Sequence, residues 1–162
     1  NMTAEEYLGQ YRQVQAEIIQ RDIVIRRMRQ EIFGGPTGRV TAAIDGVMGG
    51  MTAGATWDAH DLETMQQELQ TQEHAVAAFR RFMTTVVQQI GQIERPDFRT
   101  LLYGRYINLQ DWQEIADCMK YSPVYVRGEL KNAALDEFSS RFLDKFYKVL
   151  TNNTRPYTLD VV

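Results

Sequence analysis

Two long stripes of apolar residues constrain the fold of this chain more than any other feature. Within each stripe the apolar residues recur at spacings of four and three, which indicates a helix that buries one face against another helix. Such helices would be roughly 45 to 55 Å long, too long to stand without a partner. The first stripe comprises Tyr7, Tyr11, Val14, Ile18, Ile25, Met28 and Ile32. The second comprises Leu62, Met65, Leu69, Val76, Phe79, Met83, Val86, Ile90 and Ile93.

The stripes also predict how the two helices pair. Each is interrupted once by a polar residue, Arg21 in the first and Gln72 in the second. If the chain folds back, the two interruptions meet and the Gln72 carbonyl accepts from the Arg21 guanidinium, whereas a parallel homodimer would bury two arginines together. The other pairs are then Ile32 with Leu62, Met28 with Met65, Ile25 with Leu69, Ile18 with Val76 and Tyr7 with Val86. We therefore predict an antiparallel coiled-coil hairpin over residues 3–94, within one chain or swapped between two. Pairing of Arg21 with an acid on its own helix is the alternative.

A glycine-rich segment, residues 34–56, connects the two predicted helices. Its glycines disfavour a long helix, and it is not a phosphate-binding loop, because no Gly-Lys-Ser/Thr follows and no strand precedes it. Two interpretations remain open: a flexible connector, or a short apolar segment that packs on a partner. Either Asp58 or Asp61 is expected to cap the second long helix.

Charge and cysteine content limit the classes of protein to which the chain can belong. The formal net charge is -3, which lacks the global positive field of a protein that coats nucleic acid. The charge is unevenly distributed, however: residues 1–94 have a formal net charge of -4, whereas residues 95–162 have a formal net charge of +1 and contain all four lysines. An anionic partner is therefore expected at the C-terminal part. The single cysteine, Cys118, and the absence of a long apolar run predict a cytoplasmic protein without a membrane partner.

Three shorter helices are predicted in the C-terminal domain, residues 95–150. Pro96 ends the preceding helix and starts one that runs to about Asn108. Asp111 and Glu114 resemble a capping box that opens a second helix, in which Trp112, Ile115, Ala116 and Met119 point inward. Ser122 followed by Pro123 is a helix start signal. The third helix carries Val126, Leu130, Ala133, Ala134 and Phe138, and residues 151–162 form an irregular tail.

The second and third of these helices match the dimensions of a helix-turn-helix. Only three residues, Lys120 to Ser122, join them, and the small Ala116 permits a close crossing. In this motif the second helix presents its N-terminal outward residues to base edges in the major groove. Arg127 is suited to guanine and Lys131 to a phosphate. The candidate DNA-binding residues are Arg105, Lys120, Ser122, Val124, Tyr125, Arg127 and Lys131.

These residues resemble a known family. The segment from Asp97 to Leu135 looks like region 4 of bacterial sigma factors, and more closely like phage transcriptional regulators of the ArpU and RinA type. The shared features are Arg105-Tyr106, the run from Trp112 to Ala116, the Tyr121-Ser122 turn, Val126 and Ala133. The N-terminal segment MTAEEYLGQYRQVQAEI is similar to the first helix of those regulators.

The resemblance implies a DNA-binding regulator of phage or prophage origin, in the cytoplasm of a bacterial host. Its expected partners are double-stranded DNA, RNA polymerase and a second copy bound through the long helices. The alternative is a phage assembly or packaging adaptor, or a protein that contacts RNA polymerase through its coiled coil. Catalysis has little support, because His60, His74 and Cys118 are not at metal-ligand or catalytic spacing, and we predict neither metal nor cofactor.

Overall fold

The computed structural model describes residues 2–34 and 58–144, and all regular structure in these ranges is helical. The all-α prediction is therefore confirmed. The chain divides into two compact units, one formed by Asn1–Ala16 with Phe79–Val162 and the other by Glu17–Ala78. The boundary between the units falls within both long helices. The predicted connector after Gly34 and the tail 151–162 lie outside the described residues.

Helix α1 spans Ala4–Phe33 and helix α2 spans Ala59–Gly91. A capping box precedes α1, in which the Glu6 amide donates to Thr3 Oγ1 at 3.2 Å and the Thr3 amide donates to Glu6 Oε2 at 2.9 Å. Gly34 follows α1 with φ 75°, the left-handed conformation that ends many helices. Of the two candidate caps for α2, Asp58 has this role, because its Oδ1 accepts from the Asp61 amide at 2.8 Å.

In the unit Glu17–Ala78, the side chains of the two stripe interruptions meet. Arg21 donates to Gln72 Oε1 at 2.8 Å and also pairs with Glu17, one turn away on α1, at 2.8 Å. The predicted contact and its alternative thus occur together, because a guanidinium presents several donors in a fork. The buried stripe residues of this unit are Ile18, Ile25, Met28, Ile32, Leu69 and Val76.

The second long helix ends earlier than the sequence predicts. We expected Arg95-Pro96 to end it, but α2 stops at Gly91 and Ile93 turns inward, where it is buried. The Arg99 guanidinium stabilises the non-helical segment that follows α2, since it donates to the carbonyl oxygens of Ile93 and Glu94, at 2.5 and 2.7 Å. These donors satisfy two carbonyl groups that have no partner within α2.

Three further helices belong to the unit Asn1–Ala16 with Phe79–Val162. Helix α3 spans Pro96–Leu102 and continues as a π-helical turn over Tyr103–Ile107. Helix α4 spans Trp112–Met119. The next helical run, which we call α5, consists of Pro123–Tyr125, a π-helical turn over Val126–Leu130, Lys131–Phe138 and a second π-helical turn over Ser139–Leu143.

The core of this unit joins the N-terminal helix to the C-terminal ones. Phe138 of α5 is fully buried, and its ring lies 5.7 Å from the ring of Tyr7 on α1. The Tyr7 ring also contacts Phe82 of α2 edge-on at 5.6 Å, and its hydroxyl donates to Gln89 at 2.9 Å. Tyr7 therefore contributes to the core that positions α5. Other buried residues here are Leu8, Val86, Ile90, Leu101, Leu102, Ile115, Val126, Leu130 and Ala134.

Candidate nucleic-acid interface

The joint between α4 and α5 is short and well capped. At the start of α4, the Glu114 amide donates to Asp111 Oδ1 at 2.8 Å and the Asp111 amide donates to Glu114 Oε2 at 3.0 Å, which confirms the capping box. Lys120 then leaves α4 in the left-handed conformation, with φ 60°. Ser122 caps α5, because its Oγ accepts from the Tyr125 amide at 3.3 Å, and Pro123 follows as the first helical residue.

A glycine that sequence analysis did not single out fixes the approach of α4 to the preceding helix. A Cβ added at Gly104 would lie 3.0 Å from Ile115 Cγ1 and 2.9 Å from Gln110 Oε1. Ile115 and Ala116 of α4 are buried as predicted, whereas Trp112 and Met119 are half-buried. The absent side chain of Gly104 thus permits the close crossing, together with the small Ala116.

The N-terminal end of helix α5 has one buried face and one exposed face. Val126 and Leu130 are buried, whereas Val124 is 65% exposed, Tyr125 is 38% exposed and Arg127 is exposed. Further along, Ala134 is buried but Ala133 faces solvent, because adjacent helical positions point about 100° apart. The candidate base-reading residues Val124, Tyr125 and Arg127 therefore lie on the exposed side.

An aromatic pair extends this exposed surface to the turn. The rings of Tyr121 and Tyr125 meet edge-on with their centroids 5.3 Å apart, and Tyr121 is itself exposed. Lys120 and Ser122 of the same turn are also exposed. The hydrogen bond to Asp97 is the main reason that the pKa of Arg95 is raised, and electrostatic interactions with Tyr125 and Tyr121 add to the shift.

The two remaining candidates, Arg105 and Lys131, meet at Trp112. The Arg105 guanidinium lies 4.5 Å from the centre of the Trp112 ring and donates to the Gln110 carbonyl at 3.3 Å. Lys131 Nζ lies 5.9 Å from the same ring and 3.6 Å from a carboxylate oxygen of Glu5 on α1. Lys131 is therefore not a freely exposed cation, because its side chain is only 22% exposed and has a carboxylate partner. The indole holds both cations beside each other.

Tyr106 lies beneath this cluster. Burial raises the pKa of its hydroxyl to about 12, the nearby Glu5 carboxylate adds to the shift, and Arg105 opposes it. Tyr106 and Arg105 also line a cavity of about 270 Å³ together with Leu8, Gly9, Arg12 and Leu109.

Sequence analysis missed Arg12 as a member of this surface. A signal was present, since α1 carries no acidic residue three or four positions from Arg12 that could neutralise it. The cavity brings Arg12 to the same side as Arg105, which is far away in the sequence. It likewise missed Tyr121, whose contact with Tyr125 follows from the helix geometry of the turn.

Within residues 2–34 and 58–144, no group of three or more His, Cys, Asp or Glu side chains is arranged to hold a metal ion. Cys118 is a free, exposed thiol. A search of the same ranges for helices with the length and apolar character to cross a bilayer found none.

Comparisons with protein-family models, curated proteins and solved structures found no match for this chain.

Proposed function

We propose that the chain is a DNA-binding transcriptional regulator, which reads double-stranded DNA with the helix that begins after Ser122. One observation carries this proposal: two capped helices, α4 and α5, are joined by three residues, and the second helix exposes Val124, Tyr125 and Arg127 at its N-terminal end. A helix-turn-helix places these positions against base edges.

The residue types support distinct roles at such an interface. Arg127 is exposed and can donate two hydrogen bonds to guanine, while Val124 offers an apolar contact for a thymine methyl group. Lys120 at the turn and Arg105 beside Trp112 are suited to phosphates. The Tyr121 and Tyr125 rings support each other and restrict the conformations of the surface that would meet the DNA.

The complete arrangement that we propose is a coiled-coil hairpin followed by a helix-turn-helix domain, acting as a dimer in the cytoplasm of a bacterial host. The Arg21–Gln72 contact supports the predicted helix pairing. A phage or prophage origin, and RNA polymerase as a further partner, follow from the resemblance of the segment Asp97 to Leu135 to the ArpU and RinA type of regulator.

Salt-dependent DNA binding tests this proposal. Fluorescence anisotropy with a mixed-sequence duplex gives the logarithmic dependence of affinity on salt, with a slope of about -0.9 for each phosphate neutralised. Replacing both Arg127 and Lys131 by glutamine is expected to weaken binding and reduce the slope. The matched control replaces Arg26 and Arg27, two exposed arginines of α1, and changes the net charge by the same amount. Absence of wild-type binding at low salt, or equal losses in both double variants, would contradict the proposal.

One observation favours the second candidate, an assembly adaptor that acts through the long helices. Three large apolar side chains in the middle of α1 are exposed, Ile19 at 55%, Ile23 at 46% and Val24 at 44%, and so is Phe33 at its end, at 54%. Exposed apolar residues clustered on one helix indicate a protein contact. Replacing Ile19 and Ile23 by lysine would abolish partner capture by an adaptor. A regulator with the same substitutions would keep its binding to a single DNA half-site.

A further inference from the structure

The cavity between the N-terminal end of α1 and the π-helical turn after α3 is lined by two arginines, neither of which forms an ion pair with a described residue. Arg12 and Arg105 both line it. Among the described residues, Arg12 has no carboxylate or hydrogen-bond partner, and the Arg105 guanidinium interacts with the Gln110 carbonyl and the Trp112 ring but with no carboxylate. Glu5, whose carboxylate affects the pKa of Tyr106 in the cavity lining, is paired with Lys131. Two uncompensated guanidinium groups at one concave site favour an anion.

The backbone around this cavity has two features that packing within the chain does not explain. Gly9 lies inside α1, where glycine costs about 1 kcal/mol relative to alanine, yet a Cβ there would meet nothing within 4 Å. Leu109 has φ 56°, a conformation that leucine rarely adopts, and its side chain is exposed beside the cavity. Gly9 leaves room beside the cavity, and a bound group can use that room.

The cations of the cavity continue toward the proposed base-reading surface. Arg105 contacts the Trp112 ring, Lys131 lies over the same ring, and Arg127 is one turn before Lys131 on α5. A row of cations that extends from a base-reading helix matches the row of phosphates along a DNA strand. An acidic peptide would satisfy the cavity but would leave this continuity unexplained.

We propose that this cavity binds a backbone phosphate of the DNA, held between the Arg12 and Arg105 guanidinium groups. The assignment rests on the proposed DNA-binding function and extends the interface from the helix-turn-helix to the first helix of the chain. Arg105 is suited to one side of the phosphate because its stacking on Trp112 fixes its guanidinium. Arg12 closes the other side, and Leu109 is available to pack against a deoxyribose.

The first test compares Arg12→Gln with Arg27→Gln in the anisotropy salt series. Both residues are exposed arginines of α1, so the two variants have the same net charge. Arg12→Gln is expected to reduce the magnitude of the salt slope by about 0.9. The ratio of wild-type to variant DNA affinity should therefore shrink about 3.5-fold between 50 and 200 mM salt. Arg27→Gln is expected to retain the wild-type slope.

The second test places a competing carboxylate in the cavity. Gly9→Glu is expected to fold, because the site is open and glutamate favours helix, and to weaken DNA binding by pairing with the two arginines. Gly9→Gln has nearly the same size without the charge and is the matched control, which is expected to bind DNA more tightly than Gly9→Glu. Circular dichroism confirms that both variants retain the helical fold.

The outcomes separate this proposal from the function on which it rests. If the wild type binds DNA and the Arg127/Lys131 double variant is impaired, but Arg12→Gln matches Arg27→Gln, the phosphate site is wrong and the DNA-binding function stands. If the wild type binds no DNA, both are wrong. Binding of a polyglutamate peptide that requires Arg12, with DNA affinity independent of Arg12, would overturn the phosphate site in favour of an acidic protein partner.

Discussion

Two glycines of the C-terminal domain are predicted to respond in opposite directions to the same substitution. Gly104 and Gly128 both lie in π-helical turns and neither has a positive φ, so alanine is conformationally allowed at each. A Cβ at Gly128 would meet nothing within 4 Å. Gly128→Ala should therefore stabilise the protein by about 0.5–1 kcal/mol, the gain from reduced entropy of the unfolded chain.

At Gly104 the same gain is opposed by a close contact. The added Cβ would lie 3.0 Å from Cγ1 of Ile115, which is 1% exposed and has little room to move. The other close atom, Gln110 Oε1, ends a flexible side chain that can move aside, so the contact with Ile115 carries the cost. Overpacking of this kind costs about 1–3 kcal/mol, which outweighs the entropic gain. Gly104→Ala should therefore be destabilising by up to about 2 kcal/mol.

Thermal unfolding followed by circular dichroism measures both effects. For a chain of this size, about 1 kcal/mol shifts the melting temperature by about 2–4 °C. Gly128→Ala should melt about 1–4 °C above the wild type and Gly104→Ala below it. If Gly104→Ala were more stable than the wild type, α4 would not pack closely against the turn at Gly104. If Gly128→Ala were destabilising, an unrecognised contact would exist on the exposed face of α5.

Three further predictions follow from single contacts. Glu5→Gln frees Lys131 and removes a negative charge beside the proposed phosphate path, so DNA affinity measured by anisotropy should rise, and a fall would contradict the interface. A double-mutant cycle of Arg21→Ala and Gln72→Ala, followed by urea unfolding, should give a coupling free energy of about 1 kcal/mol, whereas zero coupling would contradict the pairing. The pKa of Tyr106 is raised from 10.0 to about 12, because burial disfavours its ionised form. The neutral hydroxyl therefore contributes fully to the free energy of unfolding below about pH 10, and this contribution is lost as the pH rises through about 12. Between about pH 9 and about pH 11, the unfolding midpoint should therefore fall more for the wild type than for Tyr106→Phe. Equal falls in the two proteins would show that Tyr106 is not buried as described.

Local signals in the sequence located the helices well. The capping residues Asp111 and Ser122 and the initiating Pro123 were identifiable because their effects act within four residues. The predicted end of α2 was wrong by four residues: the chain leaves the helix after Gly91, and Arg99, a side chain from the next helix, binds the carbonyl groups of Ile93 and Glu94. A sequence pattern does not reveal such a partner.

The stripes also identified one long-range contact, between Arg21 and Gln72. This was possible because two interruptions in otherwise apolar stripes leave few ways to bury polar groups with satisfied hydrogen bonds. Lys131 illustrates the opposite case. Its position on α5 indicated a phosphate contact, but its pairing with Glu5 depends on how α1 packs near α5 and has no local signal.

The sequence by itself determined that the chain is helical, where the capped helices of its C-terminal part begin, and which exposed residues α5 presents, because periodicity and capping are local properties. Only the tertiary structure decided that Trp112 gathers Arg105 and Lys131, and that Arg12 shares a cavity with Arg105. Those groups come from helices far apart in the sequence. Their charges act on one another only because packing around Tyr7 and Phe138 holds those helices together.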